Sequence, residues 1–250
     1  MKKVAFFYFL IIGYLLAQNL TALDIMKKVI DILTPKTAYT KSKMIITTTG
    51  GEKRTFITES YAKNNGEKML LKYLAPAQVK GQKTLLLNNA DDIWVYFPVT
   101  NRVRKLATHA KKRKVQGSDF SYEDMGTGKS FISDYNSKII KDTVYNDKKC
   151  YLIELIPKKG IITSYSKLRF VIDKKNFYPY EIQYFDEKAP DIMLKKLISY
   201  NIKIVDNIPT AYKMVMYNLI DNTNTQIELI DVKYNIKIPD AMFSERGLKR

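Results

Sequence analysis

What most constrains this chain is a change of hydrophobic period. After Lys41 the apolar residues recur at every second position, in short segments rich in Thr, Ile, Tyr and Val. The segments fall near 42–49, 54–63, 67–74, 82–88, 92–97, 101–106, 138–145, 149–156, 166–173, 178–186, 195–205, 211–219 and 225–238. Gly50-Gly51, Asn64-Asn65-Gly66, Asn89 to Asp91, Val99 to Asn101, Asn146-Asp147 and Asn222 to Asn224 separate them, in lengths and residue types that suit hairpins. Allowing for merged or failed segments, this order predicts an antiparallel meander of about ten or eleven strands. Twist accumulates across so many strands, so the sheet must curl into a sandwich or a partly closed barrel. No repeat or linker interrupts the pattern, and a single domain is expected.

Before that change the period is helical. Ile25, Met26, Val29, Ile30, Ile32 and Leu33 share helical spacing between Asp24, a candidate N-cap, and Pro35, a stop, so one amphipathic helix should open the folded region. Ahead of it, Lys2 and Lys3 precede an unbroken apolar stretch from Val4 to Ala17 and then the small, polar run QNLTA. As a helix that stretch rises about 21 Å, short of the roughly 30 Å hydrocarbon core of a bilayer. It reads as a secretory signal peptide over residues 1–22, cleaved after Ala17 or Ala22, leaving 23–250 as an exported domain. Periplasmic localisation follows.

Composition removes much of enzymology. Of 250 residues 46% are apolar and only 18 are Gly or Pro, which suits a folded core and not a disordered chain. With one cysteine, Cys150, and one histidine, His109, neither a disulfide framework nor a cysteine or two-histidine metal site can form. Met125-Gly126-Thr127-Gly128-Lys129-Ser130 ends like a phosphate-binding loop, but that spacing needs glycine where Glu123 stands. His109 lies among cations, without a carboxylate to orient it, and Cys150 reads as a strand residue. Asp91-Asp92 and Glu123-Asp124 are adjacent carboxylates of a kind common on surface turns. The chain reads as a binding protein, not an enzyme, with no cofactor.

The formal charge is +17, and no acid lies between Asp92 and Asp119, where Arg102, Arg104, Lys105, Lys111, Lys112, Arg113 and Lys114 are found. In an exported protein such a loop meets anionic head groups or an acidic partner, not nucleic acid. Strand segments such as Ile93-Trp94-Val95-Tyr96-Phe97, Met69-Leu70-Leu71 and Leu85-Leu86-Leu87 are apolar on both faces, more than a sheet with one wet face requires. Methionines are adaptable enough to suit a wall that meets alkyl chains.

Tyr73 to Gly81, Asp92 to Pro98, Arg102 to Leu106 and Gly117 to Met125 carry, in that order, the blocks P-A-x-x-K-G, W-x-Y-x-P and G-S-D-F-S-Y-E-D. In these the chain resembles the LolA-like outer-membrane lipoprotein-sorting proteins, and more narrowly the branch found beside resistance-nodulation-division (RND/MMPL-type) transporters. The resemblance implies a mainly β, single-domain open half-barrel of about eleven antiparallel strands, with helices covering an apolar concave face. It implies a lipoprotein or lipid as cargo, an inner-membrane RND/MMPL-type transporter as partner and transient contact with a membrane surface. The same fold could serve a periplasmic lipid-sensing regulator or a transporter adaptor that carries nothing, whereas an acyl-modifying hydrolase would lack its nucleophile and base.

On this reading Met69, Leu71, Leu85, Leu87, Trp94, Tyr96, Phe170, Ile172, Met214 and Met216 are expected to line the acyl cavity. A one-residue slip in strand parity would exchange the faces. Arg102, Arg104, Lys111, Lys112, Arg113 and Lys114 are expected at head groups or an acidic partner. The helix Asp24–Leu33 and the loop 107–130 are expected to form a lid. Within Gly117–Met125, Gly117 should allow a special backbone conformation, Asp119 or Ser121 should cap a short helix, and Phe120 and Tyr122 should pack.

Overall fold

In a computed structural model, residues 20–126 and 128–249 are described. The apolar leader Val4–Ala17 and Thr127 of the broken phosphate-loop pattern lie outside them. Among the described residues no helix is long and apolar enough to cross a membrane.

The chain opens with α1 (Ala22–Leu33). Thr21, not Asp24, is its N-cap: the Thr21 hydroxyl accepts from the backbone N–H of Asp24, while the Asp24 carboxylate accepts from that of Thr21. This reciprocal pairing satisfies two otherwise orphaned donors and fixes the helix start one turn early. More strands form than the ten or eleven expected, because none of the thirteen alternating segments merges or fails: β1 (Thr37–Thr47), β2 (Lys53–Lys63), β3 (Lys68–Ala75), β4 (Lys83–Leu87), β5 (Asp92–Phe97), β6 (Arg102–Leu106), β7 (Tyr135–Tyr145), β8 (Lys148–Pro157), β9 (Tyr165–Asp173), β10 (Pro179–Asp186), β11 (Met193–Val205), β12 (Ile208–Asn218) and β13 (Thr223–Tyr234). The hairpins form where the turn residues stand, because Asn64, Asn65, Gly66, Asn146, Asp147 and Asn222 accept the left-handed backbone that such tight turns demand.

The strands make one open antiparallel sheet in the order β6-β5-β4-β3-β2-β1-β13-β12-β11-β10-β9-β8-β7. The first strand therefore sits mid-sheet beside the last, and two arms extend from that seam. Residues 107–134 run from the outer strand of one arm, β6, to that of the other, β7, carrying α2 (Tyr122–Met125) and α3 (Ser130–Ser133). A meander alone would leave one face of each arm bare. On the β7–β12 arm, α1 fills that role, burying Ile25, Met26, Val29 and Ile30 against Ile153, Leu155, Leu168, Phe170, Ile172, Ile182 and Met216. The sequence after β13, including α4 (Glu245–Leu248), packs Ile238, Phe243 and Leu248 on the β3–β5 arm from the opposite side.

Candidate functional site

Strand register assigns each side chain to a face. Met44 pairs with Phe56 on one side and Ile227 on the other, and these residues cluster with Leu71, Tyr73 and Met125 on the concave face under the 107–134 crossover. Carried across β3, β4 and β5, the same parity places Met69, Leu86 and Ile93 on that face, where they pack with Tyr122 and Met125. On the other arm it places Phe170, Ile172 and Met216 there, packed under α1.

Leu85, Leu87, Trp94 and Tyr96 do not share that face. They lie with Leu70 on the convex side, covered by Ile238, Phe243 and Leu248 of the C-terminal segment. The expectation that they line the cavity is corrected by the one-residue parity of β4 and β5. Because both faces of these strands are buried, the residues are apolar on both sides and carry no parity signal.

A cavity of about 340 Å³ opens between α1, the 125–131 segment and the concave sheet, walled by Ile30, Leu33, Met69, Met125, Phe131 and Met214. Small residues on β1 and β2, Ala38, Thr40, Ser60 and Ala62, form its floor and leave the space unfilled. Of the expected wall residues, then, Met69 and Met214 border open space. Leu71, Phe170, Ile172 and Met216 share the face but are packed: Phe170 meets Phe131 edge-on with ring centroids 5.1 Å apart, and Met216 has no exposed surface. The small-residue floor was missed in the sequence, where Ala, Ser and Thr at alternate strand positions look like an ordinary polar face.

The two covering elements are held differently. Among the described residues, the polar ties of α1 to the rest of the fold are few: the Asn65 amide donates to Thr34 O at 2.8 Å, and the Lys28 ammonium lies 5.0 Å from the Phe177 ring centroid. Apolar contact holds the rest of it. Residues 117–125 are fixed by buried polar groups instead. Asp119 accepts from the hydroxyls of Thr223 (2.6 Å) and Thr225 (2.8 Å), so it ties the crossover to β13 and does not cap a helix. Ser121 is the cap of α2, in a second reciprocal pairing with Asp124. Asp124 also receives the Lys195 ammonium (2.5 Å) and the Tyr165 hydroxyl (2.6 Å), and Glu123 receives the Thr163 hydroxyl and the Ser164 N–H. Gly117 has φ +71°, and at Gly126 a Cβ would fall 2.4 Å from Asn89 O, so both glycines are required by backbone geometry. Phe120 is buried, and Tyr122 packs against the cluster of Leu86 and Ile93.

The basic loop is largely neutralised. Lys111 pairs with Asp91 (3.2 Å), Lys112 with Glu187 (2.8 Å) and Lys114 with Asp221 (2.7 Å), which ties the loop to turns on both arms. Arg102 and Arg104 stand exposed on the outer strand β6, the Arg104 guanidinium 5.9 Å from the Phe97 ring centroid, and Arg113 is exposed on the crossover. The six cations are thus spread from β6 across the crossover to both arms, and none of them borders the cavity. Cys150 is buried, and burial pushes its thiol above the ordinary range; His109 is exposed.

This architecture recurs in known proteins. A family model described as an uncharacterized protein matches residues 65–250. No curated protein matches. Among solved structures, an outer membrane lipoprotein-sorting protein domain from Vibrio parahaemolyticus superposes with a TM-score of 0.83 at 24% identity, covering 92% of this chain and 98% of that one. A DUF1329 family protein from Desulfovibrio piger gives 0.82 at 26% identity, covering 91% and 97%. A LolA superfamily protein from Nitrosomonas europaea gives 0.76 at 19% identity, covering 92% and 100%. With residues 65–250 matched, the chain belongs to the family whose model is described as an uncharacterized protein, and its open antiparallel sheet and near-complete overlap with these structures show that it has the LolA-like fold.

Proposed function

We propose that the protein is a periplasmic carrier that shields the acyl chains of a lipoprotein or lipid during transfer towards the outer membrane, working with an RND/MMPL-type transporter. The observation that carries this reading is the apolar cavity beside a helix held mainly by apolar contact. A chain of about 16 carbons exposed to water costs roughly 0.8 kcal/mol per CH₂, on the order of 12 kcal/mol, so crossing an aqueous compartment requires a shield. The cavity of about 340 Å³ is at the small end of ligand pockets, which run roughly 300–1,000 Å³. A full acyl chain needs more room, and displacement of α1 supplies it. Ile25, Met26, Val29 and Ile30 would then exchange their contacts with the sheet for contacts with the guest, a near-balanced trade that permits release as well as capture. The buried polar groups of 117–125 make the crossover the fixed wall against which α1 moves.

Native mass spectrometry of the protein purified from its own envelope tests this directly. The expected spectrum shows a lipid or lipopeptide adduct that disappears in Ala62→Phe, whose ring fills the cavity floor. An adduct-free native protein, or an adduct undiminished in Ala62→Phe, contradicts the proposal.

A further inference from the structure

Three neighbouring loops at one end of the sheet place five aliphatic side chains in water. Ile161 and Ile162 lie between β8 and β9, Ile192 between β10 and β11, and Leu219 and Ile220 between β12 and β13, with exposures from 36% to 60%. The loops are joined to one another: Glu187 N donates to Ser164 O (3.2 Å), and Leu219 N donates to Leu194 O (2.8 Å). Between them lies a cleft of about 270 Å³ bordered by Lys112, Lys114, Tyr165, Leu194 and Ile220. A lone exposed aliphatic is ordinary, whereas five on the tips of three adjoining loops form a surface that calls for a partner.

The charges around these tips indicate which partner. Glu187, Asp191 and Asp221, the acids of these loops that project outward, each face a lysine: Lys112, Lys167 and Lys114. The Asp186 carboxylate is taken up locally by the N–H groups of Lys188 and Ala189. Lys159 and Lys188 have no carboxylate partner among the described residues, and the whole chain carries +17. The aliphatics stand as small groups on three separate tips, Ile161-Ile162, Ile192 and Leu219-Ile220, with lysines beside them, an arrangement suited to entry among lipid head groups more than to a flat protein interface. The geometry points to this loop end as the edge by which the protein docks on an anionic lipid bilayer, the isoleucines entering the head-group boundary and the lysines meeting lipid phosphates. Such an edge would bring a carrier to a membrane, so it deepens the proposed function, but it uses a surface separate from the cavity.

Vesicle flotation tests it, with protein processed and exported by its own cells and vesicles of phosphatidylglycerol and phosphatidylethanolamine compared with phosphatidylcholine alone. Binding to the anionic vesicles is expected, weakening as salt rises. Ile162→Ser with Ile220→Ser should bind them roughly tenfold or more weakly. Lys159→Gln with Lys188→Gln should bind more weakly and with a shallower salt dependence. A control pair, Val144→Ser with Ile204→Ser, removes equally exposed aliphatics from the opposite end of the sheet and should bind as wild type does. No wild-type binding, no loss in the loop pair, or equal loss in the control pair would overturn the docking edge. Uptake of a fluorescent acyl analogue, measured on the same samples, should be unchanged in the loop pair. A wild type that floats with vesicles yet takes up no analogue would refute the carrier and leave the docking edge standing.

Discussion

The Lys195 ammonium lies 2.5 Å from the Asp124 carboxylate, with the lysine side chain 10% exposed and the aspartate 1%. This pair joins the crossover to β11 beneath the rings of Tyr165 and Tyr184, whose centroids are 5.5 and 5.3 Å from the ammonium. Removing one partner of a buried pair takes from the other charge the compensation that the pair supplied. Lys195→Met should therefore cost about 3–5 kcal/mol in chemical denaturation. Adding Asp124→Asn, whose carbonyl oxygen can still accept from Ser121 N–H while its NH2 donates to the Tyr165 hydroxyl oxygen, and which removes the carboxylate charge, should recover a substantial part. A double variant no more stable than Lys195→Met would show that the charge itself is not what the site must neutralise.

Trp94, the sole tryptophan, belongs to the convex cluster under Ile238 and Phe243. Its emission should therefore stay unchanged when an acyl analogue enters the cavity. Phe243→Ala, by uncovering this cluster, should shift the emission to longer wavelength and cost about 3–5 kcal/mol. A change in Trp94 emission on acyl binding without loss of stability would place the guest on the wrong side of the sheet.

The N-cap of α1 discriminates between the two cleavage points expected for the leader. Cleavage after Ala22 would remove Thr21, whose hydroxyl accepts from Asp24 N, and Leu20, which packs against the main core; cleavage after Ala17 keeps both. The expected mature terminus is Gln18, read by N-terminal sequencing of the exported protein. Thr21→Ala should lower stability by about 1 kcal/mol and speed amide exchange in α1 ahead of the sheet. It should also accelerate acyl uptake, because a loosened helix yields the concave face more readily.

Stability should fall at both ends of the pH scale. At Asp173, burial favours the neutral acid, but the Tyr180 hydroxyl (2.7 Å) and the N–H groups of Lys175 and Asn176 outweigh it and hold the carboxyl below its ordinary value of 3.8. Its stabilising contribution is present above pH 3.8 and disappears as the pH drops through the lower folded value. At the alkaline end, burial pushes Tyr135 and Tyr178 up to about 12 from 10.0, so the folded state keeps protons that the unfolded chain gives up. Their contribution is complete below pH 10.0 and is lost as the pH rises towards 12. Circular dichroism followed from neutral pH in both directions should show this. Asp173→Asn should weaken the acid dependence, and the part of the phenolate absorbance owed to Tyr135 and Tyr178, read as the difference from Tyr135→Phe with Tyr178→Phe, should rise with alkaline unfolding.

Much of this architecture is local in origin and was readable from the chain. Helical spacing ahead of Pro35, the alternation after Lys41, and Asn and Gly at the turns dictate the opening helix and the places of the strands, because each depends on residues within a few positions, although thirteen strands form where about eleven are expected. The blocks from Tyr73 to Met125 carry the family resemblance in the same way. The wall of the cavity was less legible. Leu85-Leu86-Leu87 is apolar on both faces because α2 and its neighbours cover one and the C-terminal segment covers the other, so no pattern within the strand tells which leucine faces which layer. Nor does the basic run from Lys111 to Lys114 reveal its neutralisation, since Lys114 finds Asp221, 107 positions away. Lys195 reads as a surface lysine until Asp124, 71 positions distant, meets it in the interior. Sequence determined the elements, since backbone preference and period are properties of neighbours along the chain. Tertiary structure alone decided which faces are filled, which is left open and which charges remain unpaired, because those depend on what the curvature of the sheet brings together.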